Sequence, residues 1–134
     1  MKTILAHGCF DILHWGHLKH LEAARAMGDY LIVSITADKY FPKHKGANRP
    51  VFNQDQRAEF LRALRCVDMV WICNSPSGVL AIECMLPAIY CKGPDYAERG
   101  IIPAEARACR EFNVSVRYTD TPKYGSGQLV EYLK

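Results

Sequence analysis

Residues 3–20 read TILAHGCFDILHWGHLKH, and this stretch decides the fold. The apolar run at 3–7 predicts a β-strand that ends at Gly8. Residues 15–27 follow with apolar side chains at three-residue spacing, and Gly28 then closes the predicted helix. A buried strand that passes through a short loop into an amphipathic helix is the first half of a βαβ unit.

The rest of the chain repeats this alternation of short β-rich runs and amphipathic stretches. Asn53, with Gln56 three residues later, predicts a capping box at a helix start, and residues 37–52 lack periodicity and predict a long loop. The expected strands are 3–7, 29–36, 67–73, 88–91 and 114–118, and the expected helices are 15–27, 53–65, 77–86, 104–112 and 127–133. The sequence therefore predicts an α/β fold: a single domain over 1–134 with a Rossmann-like five-stranded parallel sheet flanked by helices.

Composition agrees with one globular domain. The chain has 134 residues, of which 49% are hydrophobic and 23% charged, a size at which one core is the rule. A net charge of +3, with the basic residues mostly dispersed, suits a phosphorylated small molecule better than a nucleic-acid track. The opening residues lack a signal-peptide core, and no run approaches the length of a membrane span, so we expect a cytoplasmic protein. The six cysteines form no CxxC pair, which favours free thiols buried in strands and helices.

The chemistry is expected where the first strand meets the first helix. His14 and His17 stand at the helix start, where unpaired N–H groups and the helix dipole attract phosphate. Gly16 between them, like Gly8 at the strand end, would let a phosphate chain approach the backbone. The reaction that suits such a site is phosphoryl-type transfer by positioning and charge stabilisation, without a covalent enzyme intermediate. The GxxxxGK[ST] loop of other nucleotide-binding folds does not occur in the sequence.

Several segments in this order resemble one superfamily. They are GCFD with HWGH, KGANRPVFNQDQRAEFLRAL, CVDMV, KGPDY and KYGSGQL. Together they resemble the HxGH cytidylyltransferase-like nucleotidyltransferases, and this resemblance extends over nearly all of the chain. Within that superfamily the chain is most similar to the adenylyltransferase part of the bifunctional ADP-heptose synthesis enzyme, and it is also similar to glycerol-3-phosphate cytidylyltransferase.

The resemblance implies a set of site residues. The catalytic residues would be His14, His17 and Lys45. The nucleotide would contact Gly8, Cys9, Phe10, Asp11, His14, Gly16, His17, Lys92, Gly93, Asp95 and Ser126. The acceptor phosphate would contact Asp11, Lys43, Lys45 and Arg57. No metal site made of protein ligands alone is expected; Mg²⁺ would accompany the nucleotide, with Asp11 helping to place the ion or the acceptor.

Each assignment has a structural alternative. Arg57 could pair with Asp55 or Glu59 on a helix surface, and the two lysines could be solvated loop residues. His20 is interpreted as structural, although with His14, His17 and Cys9 it could be proposed as a zinc site. Phe10 and Trp15 are interpreted as packing residues.

The function expected from the resemblance is transfer of a nucleoside monophosphate from ATP to a sugar 1-phosphate, such as heptose 1-phosphate, with release of pyrophosphate. A CTP-dependent enzyme acting on a polyol phosphate such as glycerol 3-phosphate is the close alternative. An inactive or metal-binding regulatory domain is the alternative from another class. We expect a homodimer, no nucleic-acid or membrane partner, and no kinase half on the same polypeptide.

Overall fold

The computed structural model describes residues 1–122. The strands are β1 (Thr3–Gly8), β2 (Tyr30–Thr36), β3 (Met69–Cys73), β4 (Ile89–Lys92) and β5 (Ser115–Tyr118). The helices are α1 (Trp15–Arg25), α2 (Gln54–Arg62), α3 (Val79–Met85), α4 (Pro94–Arg99) and α5 (Pro103–Glu111).

The five strands form one parallel sheet in the order β3-β2-β1-β4-β5. This arrangement confirms the predicted Rossmann-like fold. The chain builds the sheet outward from β1 in one direction and then returns to add β4 on the other side of β1. Ligands of open α/β sheets bind at such a reversal, beyond the carboxyl ends of the strands.

Successive strand residues face opposite sides of the sheet and pack into two cores. Ile4 and Val33 belong to the core under α1 and α2, whereas Leu5 and Ile32 belong to the core under α3 and α5. All four side chains are at most 5% exposed. Because both faces are covered, the strands carry the continuous apolar runs of a buried parallel sheet, and the carboxyl edge is left to hold polar groups.

Local signals placed most of the elements correctly. Asn53 forms the predicted capping box with Gln56 at the start of α2, and Pro103 occupies the first turn of α5. The helices end two to three residues before the predicted limits at 27 and 65, as frayed last turns commonly do.

Two predictions about loops were incomplete. The segment 37–52 contains two short 3₁₀ turns, Asp38–Tyr40 and Lys43–Lys45. The segment between Gly93 and Gly100 was predicted to be a loop but forms α4. That helix is only six residues long, too short to show helical periodicity. The closing helix predicted at 127–133 lies outside the described residues.

The cysteines agree with the prediction of free thiols in part. All six are unpaired; Cys73, Cys91 and Cys109 are buried, but Cys84 is exposed. Burial raises the pKa of the Cys91 thiol to about 11, which keeps it protonated and unreactive. Within residues 1–122, no helix has the length and apolar character needed to cross a bilayer.

Candidate active site

A cavity of about 580 Å³ opens at the carboxyl ends of β1 and β4. This position is the one expected from the reversal of strand order. The structure brings most of the predicted site residues to its walls, namely Gly8, Cys9, Phe10, Asp11, His14, Gly16, His17, Lys45, Lys92, Gly93 and Asp95.

His14 and His17 form a reciprocal cap at the start of α1. Nδ1 of His14 accepts the N–H of Gly16 at 3.1 Å, and Nδ1 of His17 accepts the N–H of His14 at 3.2 Å. The two rings stack with centroids 3.8 Å apart, and the edge of Phe10 packs against His17. Since each Nδ1 is an acceptor, the proton of each neutral ring resides on Nε2. The cap thus fixes two Nε2–H donors at the positive end of a helix.

Three buried imidazoles of the cavity wall, those of His7, His17 and His20, are neutral at physiological pH. Burial lowers the pKa of His17 from 6.5 to about 3, and the nearby His14, His20 and Lys45 act in the same direction. Burial likewise lowers the pKa of His20 to about 4, with Lys92 as the second cause. These side chains can donate hydrogen bonds to a phosphate, but in the unliganded protein the formal positive charge comes from lysine and arginine.

Asp11 lines the cavity, but its carboxylate holds the loop together. The residue is 2% exposed. Oδ2 accepts from Nε of Arg49 at 3.0 Å and from the N–H of Val51 at 2.7 Å, while Oδ1 accepts from the N–H of Phe52 at 2.9 Å. These bonds tie the loop after β1 to the segment before α2. Both oxygens are thus engaged within the protein, and the expected role of Asp11 in placing a metal ion or the acceptor stays a prediction.

Arg57 is not among the residues that line the cavity, so its expected contact with the acceptor phosphate stays a prediction. It is 1% exposed, and each of its three guanidinium nitrogens donates to a protein acceptor. Nε donates to the carbonyl of Phe52, Nη1 to the carbonyls of Cys9 and Thr36, and Nη2 to Asp38 at 2.7 Å. The surface pairing with Asp55 or Glu59 is replaced by this buried set. Arg57 therefore braces the loops after β1 and β2.

The two lysines of the 3₁₀ turn Lys43–Lys45 have different surroundings. Lys45 lines the cavity, and its charge acts on His17, whereas Lys43 is exposed and does not line the cavity. Ser126 lies outside the described residues.

The opposite wall comes from β4 and α4 and adds residues that the sequence analysis missed. Lys92 and Arg99 both lie over the ring of Tyr96, at 4.4 Å and 4.5 Å from its centroid. Tyr96 is the last residue of KGPDY and Arg99 lies three residues later, so both could have been found if the short helix had been recognised.

The structure also places four further residues at or near the site. His7 pairs with Ser34 at 2.6 Å and His20 with Thr119 at 2.6 Å, and both histidines also line the cavity. Phe10 is buried as predicted, but Trp15 is 54% exposed because it lies on the outer side of the first turn of α1. The packing role expected for Trp15 is therefore wrong.

The proposed zinc grouping does not assemble. Across residues 1–122, no three histidine, cysteine or acidic side chains come together in a group that could hold a metal ion. His14 and His17 direct Nδ1 to backbone N–H groups, and His20 directs Nδ1 to Thr119.

Comparison with known proteins gives the sequence relationship. The profile of the family described as cytidylyltransferase-like matches residues 5–108. The bifunctional protein HldE of Geobacter sulfurreducens is 38% identical over 104 residues, which are 78% of this chain and 21% of that protein. HldE of Aliarcobacter butzleri is 43% identical over 101 residues, 75% of this chain and 21% of that protein. The chain spans about a fifth of the length of the curated relatives it matches.

Solved structures share the fold. A lipopolysaccharide core biosynthesis protein from Thermoplasma volcanium has a TM-score of 0.75 at 23% identity, covering 92% of this chain and 99% of that one. Pantoate-beta-alanine ligase from Francisella tularensis, complexed with beta-gamma ATP and beta-alanine, has a TM-score of 0.61 at 16% identity, covering 94% of this chain and 62% of that one. Because the family profile covers residues 5–108 and the two HldE proteins align with three quarters of the chain or more, the chain belongs to the cytidylyltransferase-like family of nucleotidyltransferases.

Proposed function

We propose that this domain transfers an adenylyl group from ATP to the phosphate of a sugar 1-phosphate, with heptose 1-phosphate as the acceptor. A phosphate oxygen of the acceptor attacks the α phosphorus, the bond from that phosphorus to the bridging oxygen breaks, and pyrophosphate leaves. The similarity to the bifunctional protein HldE, the ADP-heptose synthesis enzyme, supports this choice of nucleotide and acceptor.

One observation carries the proposal: the stacked pair His14 and His17, with both Nε2–H donors fixed at the start of α1 on a cavity wall. Neutral donors in a buried setting can stabilise charge that develops on the β and γ phosphates as pyrophosphate leaves. Lys45 reaches the same cavity from the loop after β2 and supplies a cation near the transferred phosphate.

Magnesium fits this site as a companion of the triphosphate. One carboxylate of the cavity wall, that of Asp11, is engaged by Arg49 and two backbone N–H groups, so we expect the ion to be held mainly by phosphate oxygens and water, as Mg²⁺ often is. When bound, it would neutralise phosphate charge; the protein's own residues bind and orient the substrates.

A second candidate is transfer from CTP to a polyol phosphate such as glycerol 3-phosphate. The match to the cytidylyltransferase-like profile keeps this alternative open. The two reactions share the histidine pair and differ in the base and the acceptor.

A substrate panel tests the proposal. ATP, CTP, GTP and UTP are each combined with heptose 1-phosphate, another sugar 1-phosphate and glycerol 3-phosphate, with Mg²⁺, and pyrophosphate release is followed. We expect the fastest release with ATP and heptose 1-phosphate. Release with CTP and glycerol 3-phosphate alone would favour the second candidate, and no release together with tightly held zinc would favour a regulatory domain.

The remaining expectations also become proposals here. We propose a homodimer in the cytoplasm, which sedimentation equilibrium and cell fractionation would test.

A further inference from the structure

Lys92 is a buried cation at the centre of the sheet edge. It ends β4 and is 7% exposed. Its ammonium donates to the carbonyl of His7 at 2.9 Å, so the side chain crosses from β4 to the end of β1 and lines the cavity there. Removing a lysine ammonium from water is costly unless an opposite charge compensates it.

The protein does not supply that opposite charge within its described part. In residues 1–122, no carboxylate forms an ion pair with Lys92. Two buried carboxylates of the cavity wall are engaged elsewhere: Asp11 by Arg49 at 3.0 Å, and Glu105 by the N–H of Gly78 at 2.9 Å and the hydroxyl of Tyr90 at 2.8 Å. Among the described residues, Lys92 contacts the carbonyl of His7 and the rings of Tyr90 and Tyr96, which balance its charge only in part.

Arg99 is a second cation that lies over the same aromatic ring, that of Tyr96. Nζ of Lys92 and Cζ of Arg99 both lie within 4.5 Å of the ring centre of Tyr96, and all three residues line the cavity. Aromatic rings attract cations, but two like charges on one ring repel each other. An anion in the cavity would relieve that repulsion and complete the charge balance.

The histidines His7 and His20, on which the charge of Lys92 acts, carry no positive charge that would attract this anion. Burial, with the charge of Lys92 as the second cause, lowers the pKa of His7 to about 3 and that of His20 to about 4. They remain neutral hydrogen-bonding groups around a charged centre.

We propose that Lys92 binds a phosphate group of a substrate inside the cavity, with Arg99 as a supporting cation. The proposal rests on the proposed nucleotidyl transfer, and it goes beyond the expected contact of Lys92 with the nucleotide by assigning this side chain to a phosphate group. β2 and β4 lie on opposite sides of β1, so Lys45 and Lys92 reach the cavity from opposite sides. The bound group is a phosphate of the nucleotide or the phosphate of the acceptor, which have the same chemistry.

Binding measurements on single variants test the proposal. Lys92→Met removes the charge, Lys92→Gln removes the charge but keeps a donor for the carbonyl of His7, and Lys92→Arg keeps the charge. Lys39→Met is the matched control, because Lys39 also lies over a tyrosine ring, that of Tyr40, but is exposed and does not line the cavity. Dissociation constants are measured by calorimetry for ATP alone and for a sugar 1-phosphate alone.

We expect Lys92→Met and Lys92→Gln to weaken binding of one ligand by about tenfold to a hundredfold, the range for a lost charge-assisted hydrogen bond. Lys92→Arg should retain most of the affinity, and Lys39→Met all of it. A loss confined to ATP assigns the site to the nucleotide, and a loss confined to the sugar phosphate assigns it to the acceptor. Unchanged affinity for both ligands in a folded neutral variant would overturn the proposal.

If neither neutral variant folded, the wild-type protein would decide. With ¹³C-labelled lysine, the Cε resonance of Lys92 should shift on titration with ATP or with the sugar phosphate, and no shift with either would refute the site. These experiments measure binding, so their outcome does not depend on whether the protein catalyses the reaction. A wild-type protein that binds both ligands without releasing pyrophosphate refutes the proposed function alone, whereas normal turnover with unaltered affinities in Lys92→Met refutes the Lys92 site alone.

Discussion

At the residue scale, the ring of His17 has two separable functions. Nδ1 caps α1, and Nε2 is the proposed phosphate donor. Asparagine can supply an oxygen in place of Nδ1, and glutamine can supply an amide near Nε2. We expect His17→Asn to keep the melting temperature but to lose about a hundredfold to a thousandfold in transfer rate, the effect of removing one preorganised donor.

For the same residue, His17→Gln should retain more of the rate and lose about 1 kcal/mol of stability with the cap. Thermal unfolding and pyrophosphate release would be measured for both variants. Full turnover in His17→Asn would show that Nε2 contributes nothing to the reaction.

Gly93 faces the cavity without any constraint from its own chain. Among residues 1–122, a Cβ added there meets no atom within 4 Å, and its φ of −76° suits any residue. Gly93→Ala should therefore leave the melting temperature unchanged while weakening nucleotide binding about tenfold, because the methyl group would occupy ligand space. Gly78→Ala is the contrasting variant, since its Cβ would lie 2.4 Å from the Tyr90 hydroxyl and should destabilise the fold. Undiminished nucleotide affinity in Gly93→Ala would place the ligand elsewhere.

His7 makes stability depend on pH. Burial, with the charge of Lys92 as second cause, lowers its pKa from 6.5 to about 3. As the pH falls below 6.5, the unfolded chain takes up a proton that the folded protein does not, so the free energy of unfolding decreases by about 1.4 kcal/mol per pH unit from this residue. His7→Asn can keep the bond to Ser34 without titrating, and urea unfolding at about pH 7, 6 and 5 should show a shallower decline. His44→Asn, at an exposed position, should keep the wild-type slope; the same slope in all three proteins would contradict the prediction.

At the element scale, Arg57 joins α2 to the ends of β1 and β2. Its guanidinium holds three backbone carbonyls and Asp38. Arg57→Ala leaves these acceptors unpaired in a buried place, and we expect a loss of about 3 kcal/mol in the free energy of unfolding. It should also weaken nucleotide binding, because the loop after β1 would lose its support.

Urea unfolding and ATP calorimetry would check the role of Arg57. Arg62→Ala, on the exposed side of the same helix, is the control and should change stability by less than about 0.5 kcal/mol. Equal stability of the two variants would mean that the hydrogen bonds of Arg57 contribute little to the free energy of unfolding.

The elements that the sequence predicted well are those with strong local signals: alternating buried strands, the Asn53 cap and Pro103 at a helix start. The missed helix α4 has no such periodicity, and its residues lie at the surface apart from the cavity side. The site shows the same division. The histidine pair was recognisable from its place between strand and helix, whereas the burial of Arg57 depends on the carbonyls of Cys9 and Thr36, which are distant in the chain and which no local pattern encodes.

At the scale of the whole molecule, no single segment of the sequence predicts the order of the strands. The periodicity indicated parallel strands, but which strand lies beside β1 is decided by the packing of helices on both faces. The return of the chain to β1 after β3 brings β4 next to it and so creates the cavity. For the same reason, residues 7–17, 45 and 92–99 meet although they are far apart in the chain.

The far wall of the cavity has one more consequence. Lys92, Tyr96 and Arg99 belong to a single uninterrupted stretch, while the paired imidazoles come from the start of α1. A transplant of residues 92–102 from a relative of different specificity would therefore exchange one wall of the cavity while leaving the histidine pair in place. In a protein with this fold, substrate specificity can therefore change through the replacement of one short segment of the chain.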